Sequence, residues 1–417
     1  MSTRTDTTTT LRPQSCAMAV LVAVGLGCAP SDSEPPQSGA EATGEGSGTS
    51  TGEPGDGTTS ESAESSGDET AGSTGEPMPV SCGLPDLQSL LTAAGPHDVE
   101  TVALPLVDST RPTPAPEGGE PSDERSMPTT VWLPGEGAEA GPLVIFAHGF
   151  GSSAADGGLL AERWASFGYV VAAPDFPATS ASSPGGPLAA DVVEQPTDIA
   201  FLIDAIDQAS RDAESPLHAR VDAQRVAVTG LSLGALTTLL MLEQDETAID
   251  AAVLMATPSC FLPPDTAANS SVPTLVLHGD GDVVTPFDGH AMPLLAPRND
   301  ARRLVRITGG THTGFSTLAQ PAVGNFQHPD MLGCEFLAPH EGVWGELATA
   351  VGGDAASCGA VCGSAPPWPD SIDAGLQLDA TAALSLIHLG RTLRGCEDAE
   401  ALWEQLLAGA AVGLEVL

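Results

Sequence analysis

The stretch from Arg225 to Leu242, RVAVTGLSLGALTTLLML, decides how this chain is read. Val226 to Thr229 is a short run of apolar and β-branched residues, the composition of a strand. Gly230-Leu231-Ser232-Leu233-Gly234 follows at once, and Ala235 to Leu242 opens an apolar helix. A strand, a Gly-x-Ser-x-Gly turn and a helix, in that order, lift a serine hydroxyl off the end of a sheet. The turn is so tight that only glycine fits at its flanks. It also aims the N–H of the next residue, Leu233, at the same point in space. Gly-x-Ser-x-Gly by itself is common by chance; the strand before it and the helix after it make this one specific. The plainer alternative is a turn whose serine merely caps the helix.

A serine hydroxyl is a weak nucleophile until a base takes its proton, and that base needs an acid to orient it. Leu304 to Ile307 reads as a strand that runs into Thr308-Gly309-Gly310-Thr311-His312. A histidine in a glycine-rich loop after a strand can swing over a serine, so His312 is the candidate base. Upstream, Leu275-Val276-Leu277-His278-Gly279 leads into Asp280-Gly281-Asp282, where two aspartates compete for the acid. A calcium loop would need further oxygen ligands than Asp-Gly-Asp supplies. Asp288 reads as surface. His290, His328 and His340 follow no strand and read as surface or loop residues, His278 as a packed neighbour and His388 as core. A tetrahedral intermediate needs two N–H donors. Leu233 is one. The loop His148-Gly149-Phe150-Gly151, after the apolar run Pro142 to Ala147, offers Phe150 as the other, with His148 holding the loop.

The rest of the chain reads as strands alternating with helices. Strands are expected at Glu100–Leu106, Pro128–Leu133, Pro142–Ala147, Tyr169–Ala173, Val226–Thr229, Ala251–Ala256, Thr274–His278 and Arg303–Ile307. Helical spacing covers Leu159–Phe167 and Asp191–Ala209, the latter with Pro196 in its first half. This alternation predicts an α/β fold, a mostly parallel sheet covered by helices on both faces. Ligands then bind beyond the carboxyl ends of the strands, where every candidate lies.

The chain has 417 residues and a formal net charge of −41, with no lysine. Residues 1–28 read as an export signal: Arg4 and Arg12 precede the apolar run Ala17 to Gly27, which is too short to span a bilayer. Residues 29–80 are mostly Ser, Thr, Gly, Glu, Asp and Pro, a composition that cannot offset its ordering entropy and predicts a disordered acidic linker. Residues 81–417 form the expected catalytic domain, with an extension from about 320 to 417 that has no assigned role beyond packing and a possible rim. Those residues keep 43 acids against 12 arginines. Such a balance argues against nucleic acid and anionic headgroups and favours a neutral or cationic substrate. Six cysteines remain after Cys16 and Cys28: Cys82, Cys260, Cys334, Cys358, Cys362 and Cys396. An even count in an exported chain predicts disulfides, in any of fifteen pairings. Cys358-x-x-x-Cys362 lacks a second ligand pair for zinc. Four of the six lie in an extension read as loop-rich, where staples help most.

Residues from about 95 to 320 resemble the α/β-hydrolase superfamily, near the bacterial branch of platelet-activating-factor-acetylhydrolase-like, dienelactone-hydrolase-like and cutinase- or polyesterase-like enzymes. Asp108-Ser109-Thr110-Arg111 followed by Pro128 to Pro134 is similar to the entry strands of the acetylhydrolase-like group. The loop His148 to Gly151, the elbow, the aspartate loop and the His312 loop match in order. The resemblance selects Asp282, because Gly-x-x-Asp before Val283-Val284 and a proline is similar to the acid loop of these enzymes. It implies nucleophile Ser232, acid Asp282, base His312 and oxyanion donors Phe150 and Leu233, with no cofactor or metal. The chain departs from dienelactone hydrolases in having serine rather than cysteine, and from many polyesterases in having Leu231 where Trp or His is usual. Gly27-Cys28 resembles a bacterial lipoprotein signal, which implies lipidation of Cys28, although Gly25 stands where an aliphatic residue is usual. The expected protein is an exported, monomeric serine hydrolase of neutral carboxylic esters, anchored at the cell envelope by lipid or released. Rivals are an acyltransferase or amidase on the same scaffold, and a surface-attached binding protein with a vestigial site.

Overall fold

The computed structural model describes residues 80–417, apart from 117–118, 245–248, 264, 296–298, 364–366, 410 and 412. The expected signal segment 1–28, Cys28 and the linker up to residue 79 lie outside the described residues. Among the described residues, no helix is long and apolar enough to cross a membrane.

The strands are β1 (Val99–Asp108), β2 (Arg125–Pro134), β3 (Gly141–Ala147), β4 (Val170–Pro174), β5 (Val221–Leu231), β6 (Ala251–Met255), β7 (Thr274–Gly279), β8 (Arg302–Ile307) and β9 (Leu414–Val416). They form one sheet in the spatial order β1-β2-β4-β3-β5-β6-β7-β8-β9. β3 to β8 run parallel, and β1, β2 and β9 are antiparallel to their neighbours. The eight expected strands are all present, most of them a residue or more longer at the ends. β9 had no signal in the sequence: it is three residues long and pairs only at an edge.

The continuous apolar runs are explained by burial on both faces. Along β3, Leu143 and Ile145 point into one core, and Val144 and Phe146 into the other. The helices Gln195–Arg211 and Leu233–Glu243 cover the first face through Ile199, Ile206 and Leu239. The second face is covered by Gly158–Ser166 through Trp164, and by Ala374–Leu389 and Glu397–Leu407 through Leu386, Ile387, Leu402 and Trp403. The C-terminal extension is therefore rich in helix, not in loops, and two of its helices are part of the core. Its cysteines pair as Cys82–Cys396, Cys260–Cys358 and Cys334–Cys362.

The expected helix Asp191–Ala209 is divided. Ala189–Val193 is a separate 3₁₀ turn, and the helix proper begins at Gln195 with Pro196 in its first turn. Proline is tolerated there because its missing N–H has no intrahelical partner to lose. Arg125 opens β2 and is fully buried. Its Nε and Nη2 donate to Asp198 at 2.7 and 2.6 Å, and its Nη1 and Nη2 to Asp191 at 3.1 and 2.7 Å. One guanidinium thus locks the 3₁₀ turn and the helix to β2.

After β3 the chain lays β4 on one side and then crosses to place β5 on the other. The crevice at such a switch point opens beyond the carboxyl ends of β3 and β5. Replacing Arg125 with Ala strands the buried carboxylate of Asp191 and leaves Asp198 with Arg111 as its one remaining guanidinium, so stability should fall by roughly 3–5 kcal/mol. Urea denaturation checks this, and a loss below about 1 kcal/mol contradicts it.

Candidate active site

Ser232 sits in the turn after β5 with φ 54° and ψ −115°, a backbone state that non-glycine residues avoid. The strain is held by packing on both sides. Ser232 N–H donates to Met255 O at 2.9 Å, and the helix behind it begins at Leu233. The flanking glycines are required by close approach. A Cβ at Gly230 would lie 2.1 Å from Gly234 O, and one at Gly234 would lie 2.0 Å from Ala147 O.

His312 follows β8 and reaches back over this turn. Its Nε2 is 2.9 Å from Ser232 Oγ, and its Nδ1 is 3.0 Å from Asp282 Oδ2. Facing a carboxylate, Nδ1 carries the proton, which leaves the Nε2 lone pair toward the serine. Burial alone would lower the His312 pKa, but the adjacent Asp282 carboxylate outweighs it and holds it above the usual histidine value. Asp282 is buried after β7. Its Oδ1 accepts Val284 N–H and Thr285 N–H at 2.9 and 2.7 Å, and its Oδ2 accepts Thr285 Oγ–H at 2.7 Å. Burial opposes its ionisation, yet His312 and these donors keep it below the usual carboxylate value. Asp280, the competing aspartate, is exposed and accepts Gly309 N–H at 2.6 Å instead.

The loop after β3 lies beside the elbow. A Cβ at Gly149 would come within 3.6 Å of Ser232 Cβ. Among the described residues neither Phe150 N–H nor Leu233 N–H donates to a protein acceptor. His148 is fully buried and holds the loop. Phe176 N–H donates to its Nε2 at 3.1 Å, so its Nδ1–H donates to Gly149 O at 2.8 Å. Burial lowers its pKa and keeps it neutral. The same holds for His278, packed beside Asp282 with its Nε2–H donating to Thr285 O at 2.7 Å. His388 lies buried in Ala374–Leu389, and Asp288 is exposed.

Of the histidines read as surface or loop residues, His328 lies in a loop and His290 ends the short helix Phe287–His290. His290 and His328 are buried, not on the surface. His290 Nδ1 accepts Ser259 N–H at 2.9 Å, and burial pushes its pKa down to about 3. Both lie far from any strand in sequence, and tertiary packing alone encloses them.

Three residues with no sequence signal also meet here. Thr285 joins Asp282 and stands 3.0 Å from His312 Nδ1. Asp156 accepts Ser152 Oγ–H, Ser316 Oγ–H and Leu318 N–H at 2.8, 2.5 and 3.2 Å, tying the loop after β3 to the segment after His312. Asp330, at the start of the helix Asp330–Leu337, reaches the backbone of both loops that carry Asp282 and His312. That helix also lays Phe336 over Gly151, while His340 meets Phe150 edge-on at 5.0 Å. Among the described residues, one grouping of metal-ligating side chains occurs, Cys82, Cys396 and Asp398, and its two sulfurs are bonded to each other.

Residues 127–329 match a family described as PETase, PET hydrolase-like. With the sheet and the elbow, this match supports an α/β-hydrolase of the cutinase- and polyesterase-like serine-esterase kind. The chain is 27% identical over 234 residues to Cutinase 2 of Thermobifida cellulosilytica, which covers 52% of this chain and 81% of that one. Cutinase cut1 of Thermobifida fusca is 27% identical over 234 residues, 52% of this chain and 66% of its own. Cutinase est1 of Thermobifida alba is 28% identical over 186 residues, 44% of this chain and 57% of its own. In this hydrolase the matched span carries Phe150, Ser232, Leu233, Asp282 and His312, and it stops short of Asp330.

Gly234→Ala drives a methyl into the backbone of β3, which cannot yield. The variant is expected to lose at least about 100-fold in esterase activity or to fail to fold. Nitrophenyl ester turnover near the wild-type rate would contradict the close approach.

Proposed function

We propose that this chain hydrolyses neutral carboxylic esters through Ser232, His312 and Asp282, with an acyl-enzyme intermediate. The observation that carries the reading is the single imidazole within hydrogen-bond reach of both the serine hydroxyl and a buried carboxylate. His312 Nε2 takes the proton as Ser232 Oγ attacks the carbonyl carbon. The carbonyl oxygen becomes an oxyanion, which accepts hydrogen bonds from Phe150 N–H and Leu233 N–H. The imidazolium then protonates the leaving alcohol, and the C–O bond breaks. Water repeats the cycle on the acyl-enzyme and releases the acid. Asp282 stabilises the imidazolium throughout and stays ionised.

The substrate class follows from charge and kinship. An acidic, lysine-free chain repels anionic esters, so neutral esters are favoured. The relatives named cutinases suggest aliphatic polyesters as a natural target. The apolar run closing on Cys28 supports export of the protein with a lipid on that cysteine, residues 29–80 serving as the tether.

A fluorophosphonate probe should label the wild type and leave Ser232→Ala unlabelled, with nitrophenyl butyrate turnover lowered at least about 10⁴-fold in the variant. Labelling of neither protein would favour a binding role. The base must be neutral to act, and its pKa lies above the usual histidine value. Activity should therefore fall as pH drops through a midpoint above 6.5, the ordinary histidine value. Asp282→Asn should move that midpoint down and cost about 10⁴-fold in kcat, whereas Asp280→Asn should do neither. A kcat/KM profile for each variant checks this, and the reverse pattern would transfer the acid role to Asp280.

A further inference from the structure

We propose that Asp330 is a positioning residue that fixes the spacing between the acid loop and the base loop, an inference that rests on reading Ser232, His312 and Asp282 as one catalytic set. Its carboxylate is fully buried. Oδ2 accepts Val283 N–H at 3.0 Å and His312 N–H at 3.2 Å, and Oδ1 accepts Thr313 N–H at 2.7 Å. Val283 directly follows the acid. His312 is the base itself, and Thr313 comes next. One side chain from a third element therefore grips the backbone of both loops, each within one residue of a reacting side chain.

An ordinary structural aspartate does not need this arrangement. A buried carboxylate without a cation is costly, and among the described residues no arginine or lysine pairs with Asp330. Three N–H donors offset the cost and favour the ionised form, although burial still holds its pKa above the usual carboxylate value. Asp330 is the first residue of its helix, yet its oxygens point at neighbouring loops and not at that helix's own N–H groups. The helix is in turn fixed by the Cys334–Cys362 bridge. Acid–base geometry must hold within about 0.5 Å to be productive, and a direct tie between the two loops supplies that tolerance.

Asp330 also acts through charge. The titratable groups facing His312 are His278 from the end of β7, Asp282 from the loop after it, His290 from the short helix Phe287–His290, Asp156 from the loop after β3, and Asp330; His328 meets Asp330 through that residue's own N–H. Like Asp282, Asp330 favours the imidazolium.

Asp330→Asn keeps the shape, removes the charge and puts an NH₂ against at least one N–H donor. In the full-length protein, kcat for nitrophenyl butyrate should fall about 10- to 100-fold with KM within about threefold. The acidic limb of the pH profile should move to lower pH. A merely structural role would lower the melting temperature without moving that limb. A wild-type kcat, a loss confined to KM, or an unmoved limb overturns the proposal. If Asp330→Asn does not fold, Asp330→Glu is read instead. It retains charge and displaces the oxygens, so kcat falls while the limb stays in place. A wild-type kcat there, or failure of both variants to fold, also overturns it. Ser232→Ala is measured alongside. Activity in that variant defeats the underlying catalytic reading, whereas a dead Ser232→Ala beside a fully active Asp330→Asn defeats this inference alone.

Discussion

The contact of the elbow helix with β3 governs everything at the carboxyl edge of the sheet. Gly234 lies against Ala147 O with no room for a side chain, so the ends of β3 and β5 sit as close as two backbones allow. That closeness puts the loop bearing Phe150 beside Ser232. It also forces Ser232 into its positive φ, because the chain must reverse within one turn. Met255 O and the packed helix hold the reversed peptide in place. The serine is thus presented by compression between neighbours and not by any contact of its own side chain.

The loops above this edge are fastened in one recurrent way. Carboxylates of buried or half-buried aspartates accept N–H groups from loops far away in sequence. Asp175 takes Ala154 N–H at 2.6 Å, and around the site Asp156 takes Leu318 N–H at 3.2 Å and Asp330 takes Val283 N–H at 3.0 Å and Thr313 N–H at 2.7 Å. A carboxylate offers several lone pairs and so serves several donors at once. This is a use for acidity beyond solubility in a chain without lysine. At the start of β2 the opposite device appears, where Arg125 binds two aspartates and gathers β2, the 3₁₀ turn and the following helix. Backbone donors anchor loops that must be placed finely, and a guanidinium clamps elements that need only be held.

Much of this was legible in the sequence because it depends on local pattern. The runs at β3, β5, β6 and β7 declare themselves through continuous apolar residues. Ser232 declares itself through flanking glycines, and His312 through a glycine-rich loop after a strand. Choosing Asp282 over Asp280 needed the resemblance, since spacing alone left both open; in three dimensions one faces the imidazole and the other faces Gly309. What stayed hidden depends on distant partners. Thr285, Asp156 and Asp330 carry no motif, and each matters only through the loop it touches. Ala374–Leu389 is apolar almost all round, which marks a buried helix without saying which face of which sheet it covers. The disulfide pairing is set by the same long-range packing.

The span shared with the polyester-hydrolase family, 127–329, leaves out both edge strands, the helices Ala374–Leu389 and Glu397–Leu407, and Asp330 by a single position. A shortened version cut to that span would keep all the reacting groups and lose two of the three helices that cover one side of the sheet. Leu275, Leu277, Val305 and Ile307 would then face water, and the tie between the acid and base loops would be gone. In this protein the minimal unit that can work is larger than the unit that kinship outlines, because its last hundred residues are built into the scaffold of the site.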